Sequence, residues 1–152
     1  MKTLVLGLGN PILGDDSVGF RVIQELKDKF SRPGLTLIES SASGLGLLDL
    51  ITGYDKVIII DAIQTEGGQA GKIYRLNTEN LGGTRHLGSS HSINLATALE
   101  LGKKLGIALP QQIIIFAIEV VDVTTFSEKC TPEVEKAIPL AVSMIAEELG
   151  GD

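Results

Sequence analysis

The sequence has little cysteine, few aromatic residues and no tryptophan. Its single cysteine, Cys130, cannot form an internal disulfide bond, so a disulfide-stabilised scaffold is excluded and a reducing compartment is favoured. Two Tyr and four Phe are too few for a surface that stacks on bases or sugars. No apolar run approaches the roughly 20 residues that a transmembrane helix needs. These absences favour a compact protein that does not span a membrane.

Positive charge is also scarce. The chain has 13 Lys and Arg against 19 Asp and Glu, which gives a formal net charge of −6. Proteins that bind nucleic acids use clustered cations on the phosphates, so no nucleic acid is expected as a partner. The chain starts with a predicted strand instead of the apolar segment and cleavage site of a signal peptide. We therefore expect a cytoplasmic protein with no membrane partner.

The length of 152 residues fits a single domain, 1–152, with a core that needs no disulfide bond. Apolar runs of strand size alternate with segments whose apolar residues recur at helical spacing. The pattern predicts strands at 2–8, 35–38, 56–60, 72–76 and 112–121. It predicts helices at 16–30, 45–51, 91–105 and 132–149.

This order predicts an α/β protein, a three-layer α/β/α sandwich around a five-stranded, mostly parallel twisted sheet. The fourth strand is expected to pair antiparallel at an edge. In the last helix, Thr131 is expected as the N-cap and Pro132 as the first helical residue. Pro139 lies inside that helix and is expected to kink or split it.

Sheets of this kind bind ligands beyond the carboxyl ends of their strands. The first segment there, 7–19, is GLGNPILGDDSVG. Its glycine spacing differs from the GxGxxG of dinucleotide-binding proteins, and the aspartates Asp15 and Asp16 would repel a pyrophosphate. Asp15 is expected to cap the first helix, which leaves Asp16 available for chemistry.

Two further segments supply Asp61 and His91. Asp61 follows the apolar run 57–60, where a carboxylate is costly to bury unless it is paired or bound to a metal. His91 follows Ser89 and Ser90, which are expected to cap a helix. In the first helical turn the helix dipole keeps an imidazole neutral, as a metal ligand must be. Capping of a nearby turn or loop is the alternative role for both residues.

Asp16, Asp61 and His91 come from three segments that the sheet is expected to bring together. Two carboxylates and one imidazole leave coordination positions open, which suits a transition metal with exchangeable or substrate-borne ligands. The spacing itself leaves the capping roles open. The sequence has no HExxH, CxxC or P-loop motif and no serine nucleophile elbow, and Cys130 is expected to be a packing residue.

Three stretches resemble the maturation endopeptidases of nickel-iron hydrogenases. They are the glycine-rich segment 7–19, IIDA at 59–62 and SSHSI at 89–93. The likeness extends over essentially the whole chain, and the first stretch is its most specific part. It implies an α/β/α fold of the phosphorylase/hydrolase-like kind. It also implies an enzyme that removes the C-terminal extension of a hydrogenase large-subunit precursor after nickel has been inserted.

The resemblance implies that Asp16, Asp61 and His91 bind the nickel that the precursor presents, so that the metal belongs to the substrate. Zinc or cadmium is the expected substitute in the isolated protein, and no organic cofactor is expected. The same three residues are the expected catalytic groups, through a metal-activated water or through one carboxylate as general base. Such a protease needs one site, so a monomer is expected.

Two positions differ from the pattern of many relatives. Some relatives have Glu where this chain has Asp16, and a shorter side chain reaches less far while it keeps the charge. The glycine-rich segment 67–71 has Ala70 where the family often has proline. The alanine is expected to affect the rigidity of this segment and the choice of substrate more than the activity.

Two other functions stay open at this point. A nonenzymatic module would check the nickel loading of the precursor without cutting it, and a cleavage assay distinguishes the two. The peptidyl-tRNA hydrolases also open with GLGNP, but their histidine shortly after that motif is replaced here by Asp15 and Asp16. The net charge of −6 also suits a tRNA substrate poorly.

Overall fold

A computed structural model describes residues 1–78 and 90–150, with the backbone alone for 90–95. Within these ranges the elements follow one another in the predicted order. The strands are β1 (Thr3–Leu8), β2 (Leu35–Ser40), β3 (Lys56–Ile63), β4 (Ile73–Asn77) and β5 (Gln112–Glu119). The helices are α1 (Val18–Lys29), α2 (Gly44–Ile51), α3 (Ser90–Lys104) and α4 (Pro132–Gly150), and a short 3₁₀ helix (Gly14–Ser17) precedes α1.

The strands form one sheet in the order β2-β1-β3-β5-β4. The first four are parallel, and β4 pairs antiparallel with β5 at the edge, as predicted. The chain runs outward from β1 to β2 and then returns past β1 to β3, so the winding direction changes between β1 and β3. Open α/β sheets bind their ligands at such a switch point, beyond the carboxyl ends of the strands.

Helices cover both faces of this sheet. α1 and α4 pack on one face, and α2 and α3 pack on the other. Ile58 and Ile60 of β3 pack into the core beneath α1 and α4, and Val57 and Ile59 pack into the core beneath α2 and α3. A strand buried on both faces needs such a continuous apolar run. The predicted α/β/α sandwich on a five-stranded, mostly parallel sheet is confirmed. In the described ranges no helix combines the length and the apolar character that crossing a bilayer requires.

Strand β3 is longer than its sequence pattern indicated. It continues to Ile63, and Asp61 therefore lies inside the strand, opposite Ala117 of β5, instead of directly after it. The apolar pattern ends at Ile60 because a charged residue follows. The backbone ladder does not depend on the side chain, so it continues for three more residues.

Helix α4 begins at Pro132, as predicted, and it continues through Pro139 as one helix. The predicted split is therefore wrong, whereas a kink at Pro139 stays a prediction. Proline removes one helical hydrogen bond and crowds the preceding turn. The buried side chains on both sides of it, Ile138 and Ala141, pack into the core and stabilise the helix across the proline.

Helix α1 lies unusually close to the sheet because glycines face it there. A Cβ built on Gly19 would lie 2.5 Å from the carbonyl oxygen of Leu8 and 2.9 Å from that of Ile60. A Cβ on Gly7 would overlap the carbonyl oxygen of Gly19. The two glycines thus allow α1, and the segment that precedes it, to sit against the carboxyl ends of β1 and β3.

We expect Gly19→Ala to lower the free energy of unfolding by about 1–3 kcal/mol, because the added methyl group overpacks the contact between α1 and the sheet. Urea denaturation followed by circular dichroism measures this. Gly46→Ala in α2 is the matched control, since its methyl group would meet only the Cβ of Ala42, at 3.6 Å. Alanine is the better helix former, so that variant should be as stable as the wild type or more stable. Equal stability of Gly19→Ala and the wild type would contradict the close packing.

Candidate active site

Asp16 lies in the 3₁₀ helix between β1 and α1. Its backbone carbonyl accepts a hydrogen bond from the N–H of Asn10 at 3.1 Å and closes the loop over Gly9. Only glycine fits at position 9, because its φ is 144° and a Cβ would overlap the Asp16 carbonyl oxygen. The Asp16 side chain is half-buried, and its carboxyl carbon is 3.8 Å from the place of that Cβ. The carboxylate therefore lies at the carboxyl end of β1.

Asp61 is buried in β3, with 1% of its surface exposed. Its Oδ1 accepts a hydrogen bond from the N–H of Ala62 at 2.9 Å. A Cβ on Gly19 of α1 would lie only 2.9 Å from the carbonyl oxygen of the preceding residue, Ile60, so β3 and the start of α1 approach closely here. The structure thus brings the segments of Asp16 and Asp61 together at the switch point between β1 and β3.

His91 is the second residue of α3, in the first helical turn as predicted. The last residue of α3, Lys104, connects through 105–111 to Gln112 at the amino end of β5. Since an α-helix of this length spans about 20 Å, the first turn of α3 lies toward the carboxyl ends of the strands. The side chain of His91 and the predicted cap Ser89 lie outside the described residues.

Asp61 points to the face of the sheet that α3 covers. Ile59 and Ile63 of β3 pack into the core beneath α2 and α3, and side chains of a strand alternate between faces. Asp61, between them, therefore points to the same side. Among the described side chains no three His, Cys, Asp or Glu stand together as a metal site. The joining of His91 to the two carboxylates stays a prediction.

Asp15 has a different position from the one predicted. It is fully buried, and its carboxylate accepts hydrogen bonds from the N–H groups of Val121 and Asp122, both at 3.0 Å, and of Thr131 at 2.6 Å. The hydroxyl of Thr131 also donates to it, at 2.9 Å. The residue before α1 is Ser17, so the prediction that Asp15 caps this helix is wrong. The carboxylate faces the β5–α4 loop and the start of α4 instead.

A second buried acidic residue, Glu119, holds residues 64–71, which follow β3 and include the glycine-rich segment 67–71. Its carboxylate accepts a hydrogen bond from the N–H of Thr65 at 2.7 Å and a short one from the Thr65 hydroxyl. Its backbone carbonyl accepts the N–H of Gly71 at 2.8 Å. A Cβ on Gly68 would overlap the carboxylate, so a larger residue there would have to displace it from its present position. Although position 70 carries alanine instead of proline, the segment is held in place by these contacts.

Comparison with known proteins bears directly on this site. Residues 20–148 match the family model HycI, described as hydrogenase maturation protease. This chain belongs to the hydrogenase maturation protease family. The matched range contains Asp61 and His91 and begins just after Asp16. Members of this family are peptidases, which confirms the predicted class, a peptide-bond hydrolase of hydrogenase maturation. The family assignment also decides against a peptidyl-tRNA hydrolase.

Individual relatives are consistent with this family. The chain is 30% identical over 102 residues to the hydrogenase 2 maturation protease of Escherichia coli K12. The match covers 65% of this chain and 62% of that protein, so it spans less than two thirds of the relative's length. The solved structure of the hydrogenase maturating endopeptidase HybD from E. coli has a TM-score of 0.87 at 25% identity, covering 99% of this chain and 93% of that one. The [NiFe] hydrogenase maturation protease HybD from Thermococcus kodakarensis has a TM-score of 0.76 at 24% identity, covering 98% and 99%, and supports the fold.

Cys130 has no place in the chemistry of this maturation protease. It belongs to the core, and its Sγ lies 3.6 Å from the hydroxyl oxygen of Ser17. Burial raises the pKa of the Cys130 thiol, which disfavours the thiolate that a nucleophile needs. The prediction of a packing residue is confirmed.

The adjacent aspartates provide a matched test of two roles. We expect Asp15→Asn to lower the free energy of unfolding by about 2–4 kcal/mol, because an amide group would face buried N–H donors that now bond to a charged carboxylate. Asp16→Asn, at a half-buried site, should stay within about 1 kcal/mol of the wild type. Urea denaturation of both variants measures the difference. Equal losses would show that Asp15 has no special structural role.

Proposed function

We propose that this chain is the endopeptidase that removes the C-terminal extension of a nickel-loaded [NiFe]-hydrogenase large-subunit precursor. The observation that carries the proposal is the position of Asp16 and Asp61. Both lie where the winding of the sheet reverses, at the carboxyl ends of β1 and β3, in a chain of the maturation protease family. We further propose that the protein acts as a monomer in the cytoplasm, where the precursor would be available.

The proposed ligands fit nickel as part of the substrate. Asp16, Asp61 and His91 offer carboxylate oxygens and an imidazole nitrogen, which bind divalent first-row metals, and they leave coordination positions for ligands of the precursor. Nickel then serves as the mark that insertion is complete. Zinc or cadmium would bind the same ligands in the isolated protein, and no organic cofactor is required.

The proposed reaction is the attack of a water molecule on the carbonyl carbon of the scissile peptide. A carboxylate of Asp16 or Asp61 accepts the proton from the water as general base. The proton passes to the leaving nitrogen, the C–N bond breaks, and a carboxylate and an amine result. The position of Asp61 supports this role, because the N–H of Ala62 bonds to its Oδ1 and holds the carboxylate in a fixed orientation at the carboxyl end of β3.

The first test is the cleavage of a nickel-loaded precursor, followed by mass spectrometry of the released peptide. We expect Asp16→Asn, Asp61→Asn and His91→Ala to keep the fold and to cleave at least ~100-fold more slowly, since general base catalysis contributes roughly 10²–10⁴-fold. Asp28→Asn, an exposed carboxylate near the far end of α1, is the control and should cleave normally. A wild-type rate in any of the three variants would remove that residue from the site, and binding without cleavage by the wild type would identify a checkpoint module.

The metal assignment has a test that does not depend on cleavage. Calorimetric titration of the protein with nickel or cadmium is expected to show one saturable site. His91→Ala should weaken that binding at least tenfold, because the loss of one ligand leaves two carboxylates. Unchanged affinity in the variant would place the metal elsewhere and return His91 to a role in capping its loop.

A further inference from the structure

We propose that two loops beside the site, residues 10–13 and 121–128, dock the hydrogenase precursor through exposed apolar side chains, chiefly Phe126 and Ile12. This inference rests on the proposed function and adds the surface that selects its substrate. We call the two segments the docking loops.

The docking loops expose three large apolar side chains at the end of the molecule where the site lies. The exposed fractions are 82% for Phe126, 59% for Val121 and 49% for Ile12. Phe126 is the one exposed aromatic side chain among the described residues. Aromatic side chains on a protein surface are frequent anchors of protein–protein contacts, because they bury a large area at a small cost in conformational entropy.

The exposure of these side chains does not come from a loosely held chain. The N–H of Ser127 donates to the carbonyl of Ile12 at 2.9 Å, and the N–H of Gly14 donates to the carbonyl of Ser127 at 2.9 Å. Leu13 and Ser127 form a parallel β-bridge. The bonds to Asp15 fix the start of the 121–128 loop. A surface that is ordered before binding has less entropy to lose when a partner docks.

The position of the loops identifies the partner as the substrate. The N–H of Asn10 bonds to the backbone of Asp16, so the first docking loop adjoins a proposed catalytic carboxylate. A cavity of about 590 Å³ continues from the same loops, within the range of ~300–1,000 Å³ that is usual for ligand sites. It begins at Ser17, next to Asp16, and its lining includes Pro11, Phe20, Arg21 and Lys129. The cavity and the exposed apolar side chains thus lie beside the segment that carries Asp16.

A second copy of the chain suits this surface less well. A large apolar side chain has at most roughly 250 Å² of surface, so at these exposed fractions the three side chains of both copies together would bury at most roughly 950 Å², short of the ~1,200–2,000 Å² that stable interfaces bury. A small apolar contact beside a larger polar cavity suits a substrate that must dissociate after the cut. We therefore assign the docking loops to a precursor segment that carries an apolar side chain beside the scissile bond.

The test compares Phe126→Ser with Leu105→Ser, an apolar side chain that is 63% exposed just after α3, near the amino ends of the strands. We expect Phe126→Ser to raise the KM for the nickel-loaded precursor about tenfold, with kcat within about twofold of the wild type, as loss of uniform binding predicts. Phe126→Leu should recover most of the loss, and Leu105→Ser should behave as the wild type. An unchanged KM for Phe126→Ser, or the same rise in Leu105→Ser, would overturn the proposal.

Direct binding separates this inference from the proposed function. The nickel-loaded precursor is titrated against the wild type and against Phe126→Ser by rapid mixing, so that binding is recorded before the cut. Weaker binding by the second protein supports the docking loops even if the wild type does not cleave, in which case the proposed function alone fails. Equal binding, or no binding to either protein, overturns the docking loops. Light scattering measures the oligomeric state of the wild type and of Phe126→Ser. A dimer that is present in the wild type and lost in the variant would assign the surface to a second copy of the chain and overturn the proposal.

Discussion

The buried carboxylate of Asp15 holds together the end of the molecule where the chemistry is expected. It bonds to the β5–α4 loop and to the first turn of α4, while its own backbone belongs to the 3₁₀ helix that carries Asp16. A buried carboxylate is costly without such partners. The three segments therefore keep their places together, and both the proposed base and the docking loops depend on this group.

Charged groups stabilise helix α4 at both of its ends. Its first turn faces the negative Asp15, which suits the positive end of the helix dipole. At its last turn, Lys56 donates to the carbonyl of Glu148 at 3.0 Å and Arg32 to that of Leu149 at 2.9 Å. Cations at a helix C-terminus are favourable for the same reason. The amino end of the sheet thus serves stability, whereas the proposed reactive groups lie at the carboxyl end.

The order of the elements could be predicted because it depends on local patterns, the apolar runs and their period. The extension of β3 through Asp61 to Ile63 could not, because it depends on backbone bonds to β5. The roles of Asp15 and Asp16 could not be separated in this way. The partners that bury Asp15 lie 106 to 116 residues away, and no local pattern announces them. Glu119 carried a usable signal, since it follows the apolar run 113–118 as Asp61 follows 57–60. The same pattern thus marks two different roles, a proposed base and a loop anchor.

The long-range bonds of Asp15 also have a consequence for the order in which a newly made chain matures. The segment 7–19 with its two aspartates is synthesised first, but the N–H groups that bond to the Asp15 carboxylate belong to residues 121–131. Until that stretch has left the ribosome, the segment lacks the partners that give it its shape. The peptidase end of the molecule is therefore completed only after residue 131 has been made, and a shorter chain does not present an assembled site to other proteins.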